Sequence, residues 1–411
     1  MKRIYLDHIA GTPIHSDVVE AMLPYLRENF GNPQSLHEFG QEAKNAIDES
    51  REKVAVLINA KPEEIYFTSS GTESNNFALK GLALANQKKG NHIIISSIEH
   101  QSVLYSAKSL EKLGFRITQL PVDKFGLINP DDVSNAITKE TILVSIISAN
   151  SEVGTIEPID EISRIVKEKG VIFHTDAVPA VGNIPVDVKT SGIDSLSLAG
   201  NQFYGPKGVG ALFLRKGVRI IPFIDGGIQE EGRRGGTENV PGIVGLGKAA
   251  ELAEQGMSER NKYLLSLRDK LINELPQKIE YIYLIGHPDN RLPHHASFCI
   301  EFIEGESMLL NLSMEGIAVS SGSACTSRAL KASHVLTAMK VDAALAQGSI
   351  VFSLGVSNTK EDIDYVLKVF PPIVEKLRKM SPIYYYFVKT GQRQPAGPGT
   401  DYEHIHEEEE E

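Results

Sequence analysis

Four short segments of this chain group residue types that could do chemistry, and each stands at a turn. Thr68-Ser69-Ser70-Gly71-Thr72-Glu73-Ser74-Asn75-Asn76 follows an apolar run and opens a helix-like stretch. Small residues there leave backbone N–H groups and the Thr72 hydroxyl free to hold an anion at a helix N-terminus, although an ordinary capped turn has the same composition. His174-Thr175-Asp176 puts a carboxylate at the end of a buried run, where it is costly unless it meets a cation or a protonated ring nitrogen. Asn201-Gln202-Phe203-Tyr204-Gly205-Pro206-Lys207-Gly208 is a turn ahead of another apolar run. Ser320-Ser321-Gly322-Ser323-Ala324-Cys325-Thr326-Ser327 sets a thiol among small polar residues. The other cysteine, Cys299 in Ser297-Phe298-Cys299-Ile300, has the apolar neighbours of a structural residue. Cys325 is therefore the working thiol.

These turns need elements to position them. Ile65–Thr68, His92–Ser96, Ile142–Ile147, Val171–His174 and Gly208–Leu214 read as buried strands. Helix-like stretches separate them; in 159–169 the residues Ile159, Ile162, Ile165 and Val166 share a face. This alternation predicts an α/β fold whose mostly parallel sheet is covered by helices, with ligands beyond the carboxyl ends of the strands. After about Gln255 the pattern changes to a charged helix over Ser258–Leu275, strand-like Tyr281–Leu284 and Ala296–Glu301, and helices at Glu306–Met314 and Lys360–Met380. The expected organisation is a large domain over 15–257, a smaller α+β domain from 1–14 with 258–390, and a disordered acidic tail over 391–411.

Composition narrows the function. The chain has 411 residues, is 41% hydrophobic and 23% charged, and carries a net charge of −11, which argues against a general basic surface for nucleic acid. No stretch is apolar for long enough to span a bilayer. The start, Met1-Lys2-Arg3-Ile4-Tyr5-Leu6-Asp7, meets an aspartate too early for a signal peptide. Two cysteines make no disulfide framework. A cytoplasmic protein with reduced thiols is the expectation.

Taken in order, the four segments resemble the Isc/Nif-type cysteine desulfurases, from Tyr5-Leu6-Asp7 to about Pro382. Gly31-Asn32-Pro33, Glu99-His100, Arg234-Gly235-Gly236-Thr237-Glu238-Asn239 and Glu304-Gly305-Glu306-Ser307 fit the same pattern. The resemblance implies fold type I of the pyridoxal-phosphate-dependent transferases. It makes Asp176 similar to the partner of the cofactor's pyridine nitrogen and His100 to the residue stacked on the ring. Gly71 and Thr72 resemble phosphate ligands, and Thr237 a threonine lent across a homodimer. Cys325 resembles the nucleophile that takes sulfur from cysteine as a persulfide.

The pattern also breaks. The family's Ser-x-His-Lys reads Ala199-Gly200-Asn201-Gln202, so Gln202 stands at the Schiff-base lysine, and a primary amide is neither nucleophile nor base. Pro179 replaces a glutamine that contacts the cofactor, and the family's His-x-Asn-Asn-Glu reads Ser148-Ala149-Asn150-Ser151-Glu152. Val351 replaces the arginine that grips the substrate carboxylate, removing a charge-assisted contact. These exchanges lead to the expectation of a homologue whose pyridoxal chemistry is lost. It would act with a U-type scaffold in iron–sulfur cluster assembly, Cys325 serving as sulfur acceptor or as ligand to a [2Fe-2S] cluster. The alternative is an active desulfurase that holds pyridoxal phosphate non-covalently and forms the Cys325 persulfide. The aromatic run Ser381–Phe387 falls where relatives dock the scaffold, although packing on the chain's own surface would use the same residues.

Overall fold

The computed structural model describes residues 3–322 and 333–393. Its twelve described strands, in chain order, are β1 (Ile4–Tyr5), β2 (Ile65–Thr68), β3 (His92–Ser96), β4 (Arg116–Leu120), β5 (Thr141–Ser145), β6 (Ile172–Asp176), β7 (Ser195–Ala199), β8 (Gly210–Leu214), β9 (Ile282–Ile285), β10 (His295–Ile300), β11 (Ile317–Ala318) and β12 (Ser349–Ser353). Seven of them form one sheet in the order β2-β8-β7-β6-β5-β3-β4. Only β8 runs against its neighbours; the pairings among β7, β6, β5, β3 and β4 are parallel. The carboxyl ends of β2, β3, β5, β6 and β7 therefore share one edge of the sheet. Ile93, Ile94 and Ile95 are wholly buried, as strands covered on both faces require. The His174 ring inside the sheet is paired, bonding the Ser145 hydroxyl at 2.8 Å and the Ser197 hydroxyl at 3.1 Å.

A second core lies beyond residue 258. The antiparallel sheet β12-β10-β9 and the parallel pair β1-β11 are covered by helices Gly305–Met314 and Lys360–Met380. Leu6, Phe298, Phe352 and Phe370 fill the space between them. The N-terminal strand thus joins the small core through its pairing of Ile4 with Ile317.

One helix differs from the expectation. It runs unbroken from Val240 to Lys278, not from Ser258, with the Asn239 side chain capping it by accepting from Gly242 N. Its first half buries Ile243, Leu246, Ala249 and Ala250 in the large core, and its second half gives Leu264, Leu267, Leu271 and Leu275 to the small one. A boundary at 257/258 therefore falls inside a single rigid element. The aromatic run near the C-terminus is also a helix, Pro382–Thr390, with the Ser381 hydroxyl at its cap. Phe387 stacks on Phe302 at 4.8 Å between ring centroids, while Tyr385 and Val388 point outward. The expected tail lies outside the described residues from 394 onward.

Candidate active site

The site grows from the end of β6. Asp176 closes that strand, fully buried, with Oδ1 accepting from Val178 N at 3.0 Å and Oδ2 from Asn75 Nδ2 at 2.7 Å. Burial raises the Asp176 carboxyl above the usual range, and the nearby His100 partly offsets this. The second Asn75 amide hydrogen goes to Ser102 Oγ at 2.9 Å. That hydroxyl, already an acceptor, is left to donate to His100 Nδ1 at 2.7 Å, and Ser102 N donates to the same nitrogen at 3.2 Å. With Nδ1 an acceptor twice over, a neutral His100 carries its proton on Nε2. Asp176, Asn75, Ser102 and His100 are thus joined by hydrogen bonds that run outward from the Asn75 amide, to Asp176 on one side and through Ser102 to His100 on the other, spanning two helices and a strand.

The anion end is the start of helix Gly71–Asn86, set by the loop after β2. Ser70 caps it, its hydroxyl accepting from Glu73 N at 3.1 Å. The first-turn N–H groups of Gly71 and Thr72 have no intrahelical carbonyl to bond. A Cβ on Gly71 would stand 2.5 Å from Val178 Cγ2, so only hydrogen fits where the helix meets the residues after β6. Thr72, Asn76, His100 and Ser102 line one cavity of about 310 Å³. Arg234 Nε donates to Glu73 Oε1 at 2.8 Å, which brings the 234–239 segment to this helix start and leaves Thr237 exposed beside it.

Gln202 follows β7 in a short 3₁₀ turn and donates from Nε2 to Ile9 O at 3.0 Å. It offers no amine. Val351 is a buried position of β12 that exchanges backbone bonds with Ser320, and it offers no donor from its side chain. Cys325 lies outside the described residues, so its expected roles as nucleophile and iron–sulfur ligand are not placed. Burial pushes the Cys299 thiol up to about 12, which agrees with a structural residue. Among the described residues no group of His, Cys, Asp or Glu gathers as for a metal ion, and no helix is long and apolar enough to cross a membrane.

The residues present fit a pyridoxal phosphate held without a covalent link. The buried Asp176 carboxyl suits a protonated ring nitrogen, and N–H groups without an intrahelical carbonyl at a helix start suit a phosphate. Of the expected site residues, Gly71, Thr72, His100 and Asp176 lie in this region, joined by Asn75 and Ser102, which the sequence alone did not single out. The signal for Asn75 was its place one helical turn after Gly71, and for Ser102 its place two residues after His100.

Comparison with known proteins places the chain. The class-V aminotransferase family model matches residues 4–366. The chain is 56% identical over 382 residues to the cysteine desulfurase IscS of Methanosarcina thermophila, covering 93% of this chain and 94% of that one. It is 55% identical over 383 residues to the IscS of Dictyoglomus turgidum, covering 93% and 97%. A solved NifS-like protein superposes with a TM-score of 0.87 at 40% identity, covering 92% of this chain and all of that one.

These relatives correct the expectation that pyridoxal chemistry is lost and that the chain serves only as a scaffold partner. Curated relatives named cysteine desulfurase share 47% to 56% of their residues with it across more than nine-tenths of its length. The exchanges at Gln202 and Val351 leave the hydrogen bonds that join Asp176, Asn75, Ser102 and His100 in place. The chain belongs to the class-V aminotransferase family and, within it, to the Isc/Nif-type cysteine desulfurases.

Proposed function

We propose that the chain is a pyridoxal-phosphate-dependent cysteine desulfurase that holds its cofactor non-covalently, converting cysteine and the Cys325 thiol to alanine and a Cys325 persulfide. The observation that carries this reading is the hydrogen-bonded network from the buried Asp176 through Asn75 and Ser102 to the exposed His100. When bound, the cofactor supplies an electron sink for the amino acid's Cα. Asp176 would keep the ring nitrogen protonated, His100 would stack on the ring face, and the Gly71 and Thr72 N–H groups would hold the phosphate. Gln202 moves no proton, so turnover lacks a general base that is typically worth roughly 10²- to 10⁴-fold. Val351 in place of a charged donor leaves the substrate carboxylate without a grip of about 1.5–3 kcal/mol.

The sulfur's recipient, implied by the family, is a U-type scaffold, whose nascent [2Fe-2S] cluster is cargo rather than a resident cofactor. Ile383, Tyr385 and Val388, exposed on the last described helix, support that helix as the docking face. Exposed Thr237 supports a homodimer in which it reaches the partner's phosphate site. The test is single-turnover alanine formation from cysteine at saturating pyridoxal phosphate, with Cys325→Ser as control. Alanine with a matching persulfide, absent in the serine variant, supports the reading. Alanine no faster than free pyridoxal phosphate produces it in buffer would refute it.

A further inference from the structure

Asp176 has a second buried acid beside it. Glu99, one residue before His100, is wholly buried in the loop after β3. Its Oε1 accepts from the Ser96 hydroxyl at 2.7 Å and from Ile147 N at 2.7 Å. The bond from Ile147 ties this loop to the chain leaving β5, and the next residue there reaches Asp176. Ser148 donates to Asp176 O from N at 2.9 Å and from Oγ at 3.1 Å. The loop is held from two further sides: Asn150 Nδ2 donates to Ile98 O at 2.9 Å, and His334 Nε2 to Glu99 O at 3.0 Å. Glu99 is thus the joint between the elements that carry His100 and Asp176.

The two carboxyls are bonded differently. Asp176 accepts on both oxygens, from Val178 N and Asn75 Nδ2, which favours its ionised form. Glu99 takes its two donors on Oε1, while Oε2 is buried with no hydrogen-bond partner among the described residues. A proton on Oε2 therefore displaces nothing. No lysine or arginine among the described residues bonds either carboxyl. The other titratable groups here are histidines: His100 at the cap of helix Gln101–Glu111, His334 on helix His334–Ala338, and His174 within β6. Burial lowers His334 and His174, which keeps both from supplying a charge. Burial raises both acids, Glu99 to about 8, and the charge of Asp176 adds to the rise at Glu99. Two buried acids coupled in this way do not both ionise near pH 7.

We propose that Glu99 and Asp176 share a single negative charge: Glu99 keeps a proton on Oε2, and its neutrality leaves Asp176 as the ionised member that meets the cofactor's ring nitrogen. Glu99 is a positioning residue, acting on Asp176 by charge and through the Ile147–Ser148 link by geometry. The inference rests on Asp176 being the ring-nitrogen partner. One charge matches one ring proton, whereas two would leave a buried anion without compensation once the cofactor is bound.

Infrared difference spectra of the full-length, cofactor-free protein at pH 7 read the proton directly, as the carbonyl stretch of a protonated acid. Wild type minus Glu99→Gln should show one such band. Carbon-13 placed at the glutamate side-chain carboxyls should shift that band, and carbon-13 at the aspartate carboxyls should not. In Asp176→Asn the same glutamate band should be lost at a lower pH than in wild type, because the neighbouring charge that raises Glu99 is gone. A fluorescence titration with pyridoxal phosphate supplies the second readout. Glu99→Ala strands the Ser96 hydroxyl and Ile147 N–H and should weaken binding roughly 10-fold, while Glu99→Gln, neutral and of the same shape, should stay within threefold of wild type. No acid band lost in Glu99→Gln, a band that follows the aspartate label, an unchanged midpoint in Asp176→Asn, or binding as weak in Glu99→Gln as in Glu99→Ala would overturn the proposal. Should Glu99→Ala fail to fold, the Glu99→Gln spectra and titration decide it. If the wild type binds no pyridoxal phosphate, the ring-nitrogen reading falls, and the spectra alone decide whether the charge is shared.

Discussion

Replacing Asp176 with asparagine isolates what a buried carboxylate contributes to this site. The substitution keeps the shape but removes the charge, and it also replaces one accepting oxygen with an amide donor. Both oxygens now accept, from Val178 N and from Asn75 Nδ2, so one of those two donors would face another donor. That conflict costs about 1–3 kcal/mol, while removing a buried charge that no cation hydrogen-bonds returns a comparable amount. The two effects oppose, so the cofactor-free protein should melt within a few degrees of wild type. With cofactor they add. The carboxylate's pairing with a protonated ring nitrogen is a charge-assisted bond of about 1.5–3 kcal/mol, which converts to a roughly 10- to 150-fold weaker Kd. A fluorescence titration with pyridoxal phosphate, run beside a thermal melt, reads both quantities. A Kd within threefold of wild type would refute the assignment of Asp176 as the ring-nitrogen partner; an equal loss of melting temperature and affinity would show a structural role instead.

Three other outcomes are expected. Gln202→Lys should give a pyridoxyl-lysine at position 202 after borohydride reduction, seen by peptide mass, where the wild type gives none there; its desulfurase rate should rise roughly 10²-fold or more. Arg51→Ala should cost about 3–5 kcal/mol in denaturant titration. It strands Glu230, which is buried, accepts from both guanidinium nitrogens at 2.7 and 2.8 Å, and also accepts from Phe67 N. Glu157 should give the fold a pH dependence: burial pushes it up to about 8, with the Ile128 N–H partly opposing. A carboxyl raised on folding stabilises the fold below its unfolded value near 4.3 and loses that contribution as pH rises toward about 8. Denaturation midpoints should therefore fall between pH 5 and pH 8, and the slope should flatten in Glu157→Gln; an unchanged slope would rule the residue out.

What could be read from sequence follows how each element is buried. β2 and β3 were legible because runs such as Ile93-Ile94-Ile95 have no meaning except burial on both faces. β7 was missed because Ser195-Leu196-Ser197-Leu198-Ala199 alternates like a half-exposed strand; its serines are buried, and Ser197 pairs with His174 across the sheet. β4 was missed because, at the sheet edge, it shows Arg116 and Gln119 to solvent. Asp176 and His100 stood out because their types are conspicuous at strand ends. Asn75 and Ser102 did not, because the spacing that marks an amide and a hydroxyl gains meaning only once the groups they bridge are known to be adjacent. The loss of function inferred from Gln202 and Val351 weighed single positions above the frame holding them.

The helix from Val240 to Lys278 has 39 residues, a rod of about 58 Å at 1.5 Å per residue, shared by both cores. A cut between Ala253 and Leu264 leaves each apolar stripe with its own core but removes the main-chain link between the two. A fragment that starts at 258 also lacks Ile4 and Leu6 of the small core, and in the intact chain the opening of that core in hydrogen exchange should be coupled to that of Leu246 and Ala250 in the large one. Cooperativity between the two halves is built into the main chain rather than into the surface between them.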